Sequence, residues 1–263
     1  MPTDDPNWRC FALTIAYDGA RYAGWQTQPN ASTVQEELNK SLSILAKETI
    51  DTMGCGRTDT GVHASQFYAH FDSTLPIDEI KTWVKKLNAI IGDDIYIFDI
   101  HLVDSEAHAR FDAISRSYSY YIAKHKTIFQ KELMWHSPLK MDVNYLNKLA
   151  ELFITNKQFE SFSKTGVEQS SYKCDITEAI WIEHEQCYQF RITANRFLRG
   201  MVRAIVGTMY EFNKTKIPVS ELQKIIDAAD RSKAGHAAPP QGLFLEQVVY
   251  PFLNKEKQSP FDL

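Results

Sequence analysis

Twice along this chain a period-two alternation of apolar residues gives way to a 3.6-residue one. Each time the alternation returns for two short stretches, turns helical again and closes on a further strand pattern. In the first third, Phe11, Leu13, Ile15 and Tyr17 share one strand face, and Asp18-Gly19 ends it. Thr33-x-x-Glu36 is a capping box, which predicts a helix with Val34, Leu38, Leu42 and Leu45 inward. A short strand and the polar, glycine-rich stretch Gly54 to Gly61 follow, and Phe67, Ala69 and Phe71 alternate again. Behind Pro76, the residues Ile77, Ile80, Trp83, Val84, Leu87 and Ile91 predict an amphipathic helix. Tyr96, Phe98, Ile100 and Leu102 make another strand. The order is βαββαβ.

The remainder repeats it. Tyr118, Tyr120 and Ile122 alternate, and Val143, Leu146, Leu149 and Phe153 predict a helix behind Asp142. Strands are expected over Ile176 to Glu183 and Cys187 to Ala194, joined by a tight polar connection. Asn195 can cap a helix running roughly from Arg196 to Phe212. A further helix near Ser220 to Ala229, a loop over Arg231 to Gly242 and a strand over Leu243 to Tyr250 complete the chain. Two copies of this order predict an α+β fold. Its two ferredoxin-like halves, residues 1–105 and 106–263, would have mainly antiparallel sheets, helices on one side each and a cleft between the open faces. RNA-recognition folds share the layout, but so do many other activities, so function must be argued from a site.

A formal charge of −4 excludes a uniformly basic nucleic-acid coat, yet the cations are focused. Between Gln186 and Tyr210 stand Arg191, Arg196, Arg199 and Arg203 with no acid, and Arg110, Arg116, Lys124, Lys126 and Lys131 stand near a lone Asp112. On a helix starting at Arg196, the residues Arg196, Arg199 and Arg203 fall within a sector about 60° wide. Met201, Ile205 and Thr208 would then face the core, with Gly200 and Gly207 bordering the arginines and admitting a bulky partner. The four cysteines are widely spaced with no C-x-x-C pair, and the histidines are scattered, so reduced thiols and no metal site are expected. No stretch approaches the roughly 20 apolar residues of a membrane helix. Met1 to Arg9, with Asp4 and Asp5, lacks a signal-peptide apolar block, which points to the cytoplasm.

Gly54-Cys55-Gly56-Arg57-Thr58-Asp59-Thr60-Gly61-Val62-His63-Ala64 joins the second and third strands, and such a loop can present side chains to a cleft. Arg57 and Asp59, two apart, share a face of an extended segment, where the arginine can hold the carboxylate ionised or contact a phosphate. An Asx turn with a surface ion pair is the plain alternative. Asp59-Thr60-Gly61 also spells the aspartic-protease triplet. Those enzymes need two carboxylates sharing a proton and a largely β fold, whereas this chain has one such triplet and several helices.

The run Gly56 to Ala64 resembles the catalytic signature of the tRNA pseudouridine synthase A family, and the resemblance spans almost the whole chain. It includes Tyr17-Asp18-Gly19, Gly24-Trp25-Gln26, Val34-Gln35-Glu36, His108-Ala109-Arg110-Phe111 and Arg116-x-Tyr118. It continues through Asn195-x-Phe197-Leu198-Arg199-x-Met201-Val202-Arg203 and Ala238-Pro239-Pro240-x-Gly242-Leu243. The resemblance implies a homodimeric isomerase that converts uridine to pseudouridine at positions 38, 39 and 40 of the tRNA anticodon stem-loop, without a cofactor. Asp59 is then the essential carboxylate, and Tyr118 stacks on the target base and moves a proton. Arg57 and Arg203 flank Asp59, and Leu243 or Leu245 forms an apolar floor under the base; apart from the resemblance, the arginine stripe predicts that Arg196 and Arg199 meet phosphates. A noncatalytic RNA-binding protein is the competing reading, but it leaves the Asp59 loop without a purpose and lacks aromatic-rich RNP strands.

Overall fold

The computed structural model describes residues 8–166 and 170–252; Asp4 and Asp5 lie outside them. The element order follows the periodicities. It runs β1 (Arg9–Tyr17), α1 (Val34–Ala46), β2 (Met53–Gly54), β3 (His63–Ser73), α2 (Ile80–Ile90) and β4 (Ile95–Val103). It continues with β5 (Ser115–Ala123), β6 (Trp135–His136), α3 (Val143–Thr155), β7 (Ile176–Glu183) and β8 (Cys187–Ala194). The last elements are α4 (Met201–Thr215), α5 (Val219–Asp227) and β9 (Leu243–Val249). The fold is α+β, and its strands form one open, mostly antiparallel sheet rather than the two expected.

The described residues divide into two compact units, one holding 8–114 together with 245–252, the other lying within Ser115–Phe244. Residues 106–114 therefore belong with the first unit. Ile114 N–H donates to the Val249 carbonyl at 2.8 Å, and the Tyr250 hydroxyl donates to the Ala109 carbonyl. The unit boundary falls within β9, after Phe244.

In the first unit β1 pairs with β3 on one side and β4 on the other, all antiparallel. Phe11, Leu13 and Ile15 are fully buried, as alternation demands. The β1–β4 register shifts between Thr14 and Ile15, opposite Phe98. This irregularity breaks the expected alternation of β4: Ile95, Ile97 and Ile100 are buried while Tyr96 is 55% exposed. Thr33 caps α1, its Oγ1 accepting from Glu36 N at 3.3 Å. In the second unit β8 lies between β5 and β7, burying Tyr120, Ile122, Phe190, Ile192 and Trp181. Asp142 caps α3 by accepting from Tyr145 N at 3.1 Å.

The expected start of α4 at Arg196 is wrong. The helix begins at Met201, behind Gly200 in the left-handed region at φ 71°. Asn195 does not cap it: its side-chain oxygen accepts from Asp175 N instead, at 2.8 Å. Arg196 and Arg199 therefore lie ahead of α4, and the three-arginine helical stripe does not form. Gly207 faces no open groove either. A Cβ there would lie 1.8 Å from the His236 carbonyl oxygen, so the missing side chain lets the 235–238 loop pack against α4.

Candidate active site

Asp59 sits in the loop between β2 and β3, and main-chain contacts fix that loop on both sides of it. Val62 N–H donates to the Asp59 carbonyl at 3.1 Å, closing a four-residue turn with Gly61 at its third position. Gly61 has φ 76°, which a type II turn requires there and which glycine supplies without strain. The segment 22–25 holds the other face: Trp25 N–H donates to the Thr58 carbonyl and Tyr22 accepts from Gly61 N–H, both at 3.3 Å. Gly24, at φ 91°, approaches so closely that a Cβ would stand 2.4 Å from the Thr58 oxygen. Beneath, the hydroxyls of Tyr17 and buried Thr58 hydrogen-bond at 2.9 Å. Fixed in this way, the Asp59 side chain remains half-buried rather than enclosed.

Arg57 also has an acceptor of its own. Its Nε donates to Gln26 Oε1 at 3.2 Å. Trp25 anchors this neighbour, its ring stacked on Phe67 at 4.1 Å between centroids and 1% exposed. Gly54 admits the indole, since a Cβ there would come within 2.6 Å of it. Where the loop re-enters β3, buried His63 brings Nδ1 to 3.0 Å from Asp18 Oδ1 and 3.1 Å from Gly19 N. One ring nitrogen cannot donate to the carboxylate and accept from the amide at once, and it is with the proton on Nδ1 that the imidazole donates to Asp18. The hydrogen bond from His63 and that from Ala20 N–H hold the Asp18 carboxyl below its ordinary range, against the opposing effect of burial.

The second unit holds the remaining candidates. Tyr118 is half-buried on β5, its ring set edge-on to Phe197 at 5.1 Å. Two residues along the same face Tyr120 is fully buried, so Tyr118 stands where the apolar face opens. Arg203, on the first turn of α4, is clasped by Ala238. Arg203 Nε donates to the Ala238 carbonyl at 2.7 Å, and Ala238 N–H donates to the Arg203 carbonyl at 2.9 Å. The adjacent Pro239 carbonyl accepts from the Tyr120 hydroxyl at 2.7 Å. Burial drives that phenol's pKa upward, the Arg203 charge opposing, so Tyr120 stays neutral. The Ala238-Pro239-Pro240 segment thus orients Arg203 and Tyr120 through the carbonyls of its first two residues. Arg199 is exposed and Arg196 half-buried ahead of α4. Leu243 and Leu245 are 6% and 1% exposed, which places both in the core. The four cysteines are buried and in no disulfide, and among the described residues no group of three or more His, Cys, Asp or Glu could hold a metal ion. No helix among the described residues is long and apolar enough to cross a membrane.

Periodicity alone did not expose Gly24, Gln26 and Gln35, although their motifs were visible; their partners lie far away in sequence. Comparison with known proteins adds the chemistry. The family described as tRNA pseudouridine synthase matches residues 149–251. The tRNA pseudouridine synthase A of Porphyromonas gingivalis is 44% identical over 92% of this chain and 97% of its own length. That of Parabacteroides distasonis is 40% identical over 92% and 96%, and that of Bacillus subtilis 37% over 90% and 97%.

Proposed function

Since the chain belongs to the tRNA pseudouridine synthase A family, isomerases that convert uridine to pseudouridine, we propose that Asp59 is the carboxylate that carries out this reaction in the tRNA anticodon stem-loop, at positions 38, 39 and 40. The observation that carries the assignment is a single half-buried carboxylate on a loop whose main chain is fixed on both sides by Gly24, Trp25, Tyr22 and Val62. A catalytic group held this way loses little freedom on reaching its reactive geometry.

The bond from ribose C1′ to N1 of the base breaks, the base turns, and C1′ joins C5. The proton leaving C5 is balanced by one gained at N1, so the change is redox-neutral and internal. Asp59 assists departure of the base, by attack on the nucleotide or by stabilising the electron-poor ribose. Tyr118 offers a ring on which the uracil stacks and a hydroxyl able to move the C5 proton. Arg57 and Arg203 supply positive charge that favours the ionised carboxylate and grips the nucleotide. Arg196 and Arg199 contact phosphates, and Leu243 or Leu245 supports the flipped base from beneath. Lifting a paired uridine from the stem costs a few kcal/mol, which such phosphate contacts offset.

Further parts of the same proposal are a cytoplasmic homodimer and a two-half, ferredoxin-like organisation. The doubled βαββαβ order supports the latter, as does the pairing of β1 between β3 and β4 and of β8 between β5 and β7.

The test is Asp59→Ala assayed on unmodified tRNA by mapping pseudouridine, with tRNA affinity measured alongside. We expect no turnover and affinity within a few fold of the parent; substantial turnover removes Asp59 from this role.

A further inference from the structure

The glutamines of the motifs Gly24-Trp25-Gln26 and Val34-Gln35-Glu36 have no part in the chemistry above, yet both lead to Arg57. Gln35 lies on the first turn of α1 and is 5% exposed, an unusual place for an uncharged amide unless it is fully hydrogen-bonded. Its Nε2 donates to the Thr52 carbonyl at 2.6 Å. Its Oε1 accepts from Thr27 N–H at 3.0 Å and from Gln26 Nε2 at 2.8 Å. Gln26 Oε1 then accepts from Arg57 Nε at 3.2 Å.

Amide orientations are ordinarily ambiguous, because oxygen and nitrogen look alike. Here two main-chain groups remove the ambiguity. The Thr52 carbonyl can only accept, so Gln35 must turn its nitrogen there. Thr27 N–H can only donate, so Gln35 must turn its oxygen that way. Gln26 must therefore offer nitrogen to Gln35 and oxygen to Arg57. The polarity of the chain is set at the buried end and read out at the guanidinium.

We infer that Gln26 and Gln35 are positioning residues of the isomerase, which hold Arg57 by its Nε so that its two terminal nitrogens face the nucleotide. The inference rests on the proposed role of Arg57 beside Asp59. Arginine otherwise spends rotamer freedom on each ligand contact, and an acceptor fixed at Nε removes part of that loss before tRNA arrives. Gln26 itself is exposed and its main chain is secured by the buried Trp25, so its amide can be removed without disturbing the core.

The experiment is a double-mutant cycle on single-turnover pseudouridine formation, using Gln26→Met, Arg57→Gln and the two combined. We expect Gln26→Met to slow the step about tenfold with tRNA affinity within twofold and an unchanged Tm. The combined variant should be no slower than Arg57→Gln alone, because Gln26 acts only through Arg57. Parental turnover by Gln26→Met overturns the inference, as do losses that multiply in the combined variant. So does a rate loss that vanishes well below both melting temperatures, which marks mere packing. Asp59→Ala measured in parallel separates the two levels. If it is active, the underlying assignment has failed; if it is inert while the losses multiply, the inference alone has failed.

Discussion

Substituting Gly24 should damage catalysis through the main chain of the Asp59 loop, without touching any side chain assigned to the reaction. An alanine Cβ would stand 2.4 Å from the Thr58 carbonyl oxygen and 3.1 Å from the Asp59 carbonyl carbon, where ordinary contact begins at 3.4 Å. The loop must retreat by roughly 1 Å, since neither neighbour is a flexible side-chain end. Gly24 is also at φ 91°, a left-handed conformation that costs a residue with a Cβ about 1–3 kcal/mol. Together these terms destabilise by about 2–4 kcal/mol, a fall of roughly 5–15 °C in Tm. A displacement of ~1 Å at a positioned group costs on the order of 100-fold in rate. We therefore expect Gly24→Ala to lower the single-turnover rate about 100-fold while tRNA affinity changes little. Gly56→Ala is the internal control, because a Cβ at Gly56 meets nothing within 4 Å; its Tm should stay within the range of an ordinary surface substitution. If Gly24→Ala turned over within threefold of the parent at an unchanged Tm, the claim that this close approach fixes the Asp59 loop would be refuted.

Gly207→Ala should destabilise by about 3 kcal/mol or more, because its Cβ would stand 1.8 Å from the His236 carbonyl oxygen and 3.0 Å from Ala238 N. Denaturant unfolding checks this, and a neutral result would mean the 235–238 loop is not held against α4. Asp18 gives a pH signature. The hydrogen bond from His63 lowers its folded pKa, so its stabilisation is complete above the unfolded carboxyl value of about 3.9. That stabilisation is lost as pH falls through the lower folded value. Asp18→Asn should therefore be less stable than the parent at neutral pH, with the gap closing in strong acid; a gap constant across pH would count against the pairing.

Some of this protein could be read directly from its sequence. The order of elements is one case, since the burial of Phe11, Leu13 and Ile15 follows from strand alternation and the caps at Thr33 and Asp142 involve residues three apart. The Asp59 loop is another, because its glycines and its carboxylate are contiguous. These features depend on neighbours within one or two turns, which a local pattern records. Tertiary structure decided the rest. Arg196 and Arg199 continue a helical pattern, yet Asn195 is taken by Asp175, 20 residues away, and the chain enters α4 only through the left-handed Gly200. The alternation of β4 is interrupted by a register shift against β1, and the strands join in one open sheet, neither of which a strand's own residues encode. Arg57 and Asp59 stand two apart in sequence, whereas the acceptor that holds Arg57 Nε is Gln26, 31 residues back and aimed by Gln35 on a different element. Periodicity reports which face of an element is buried. Which donor meets which acceptor depends on how segments distant in sequence come to lie against one another, and only the folded chain brings Gln35, Gln26 and Arg57 into line.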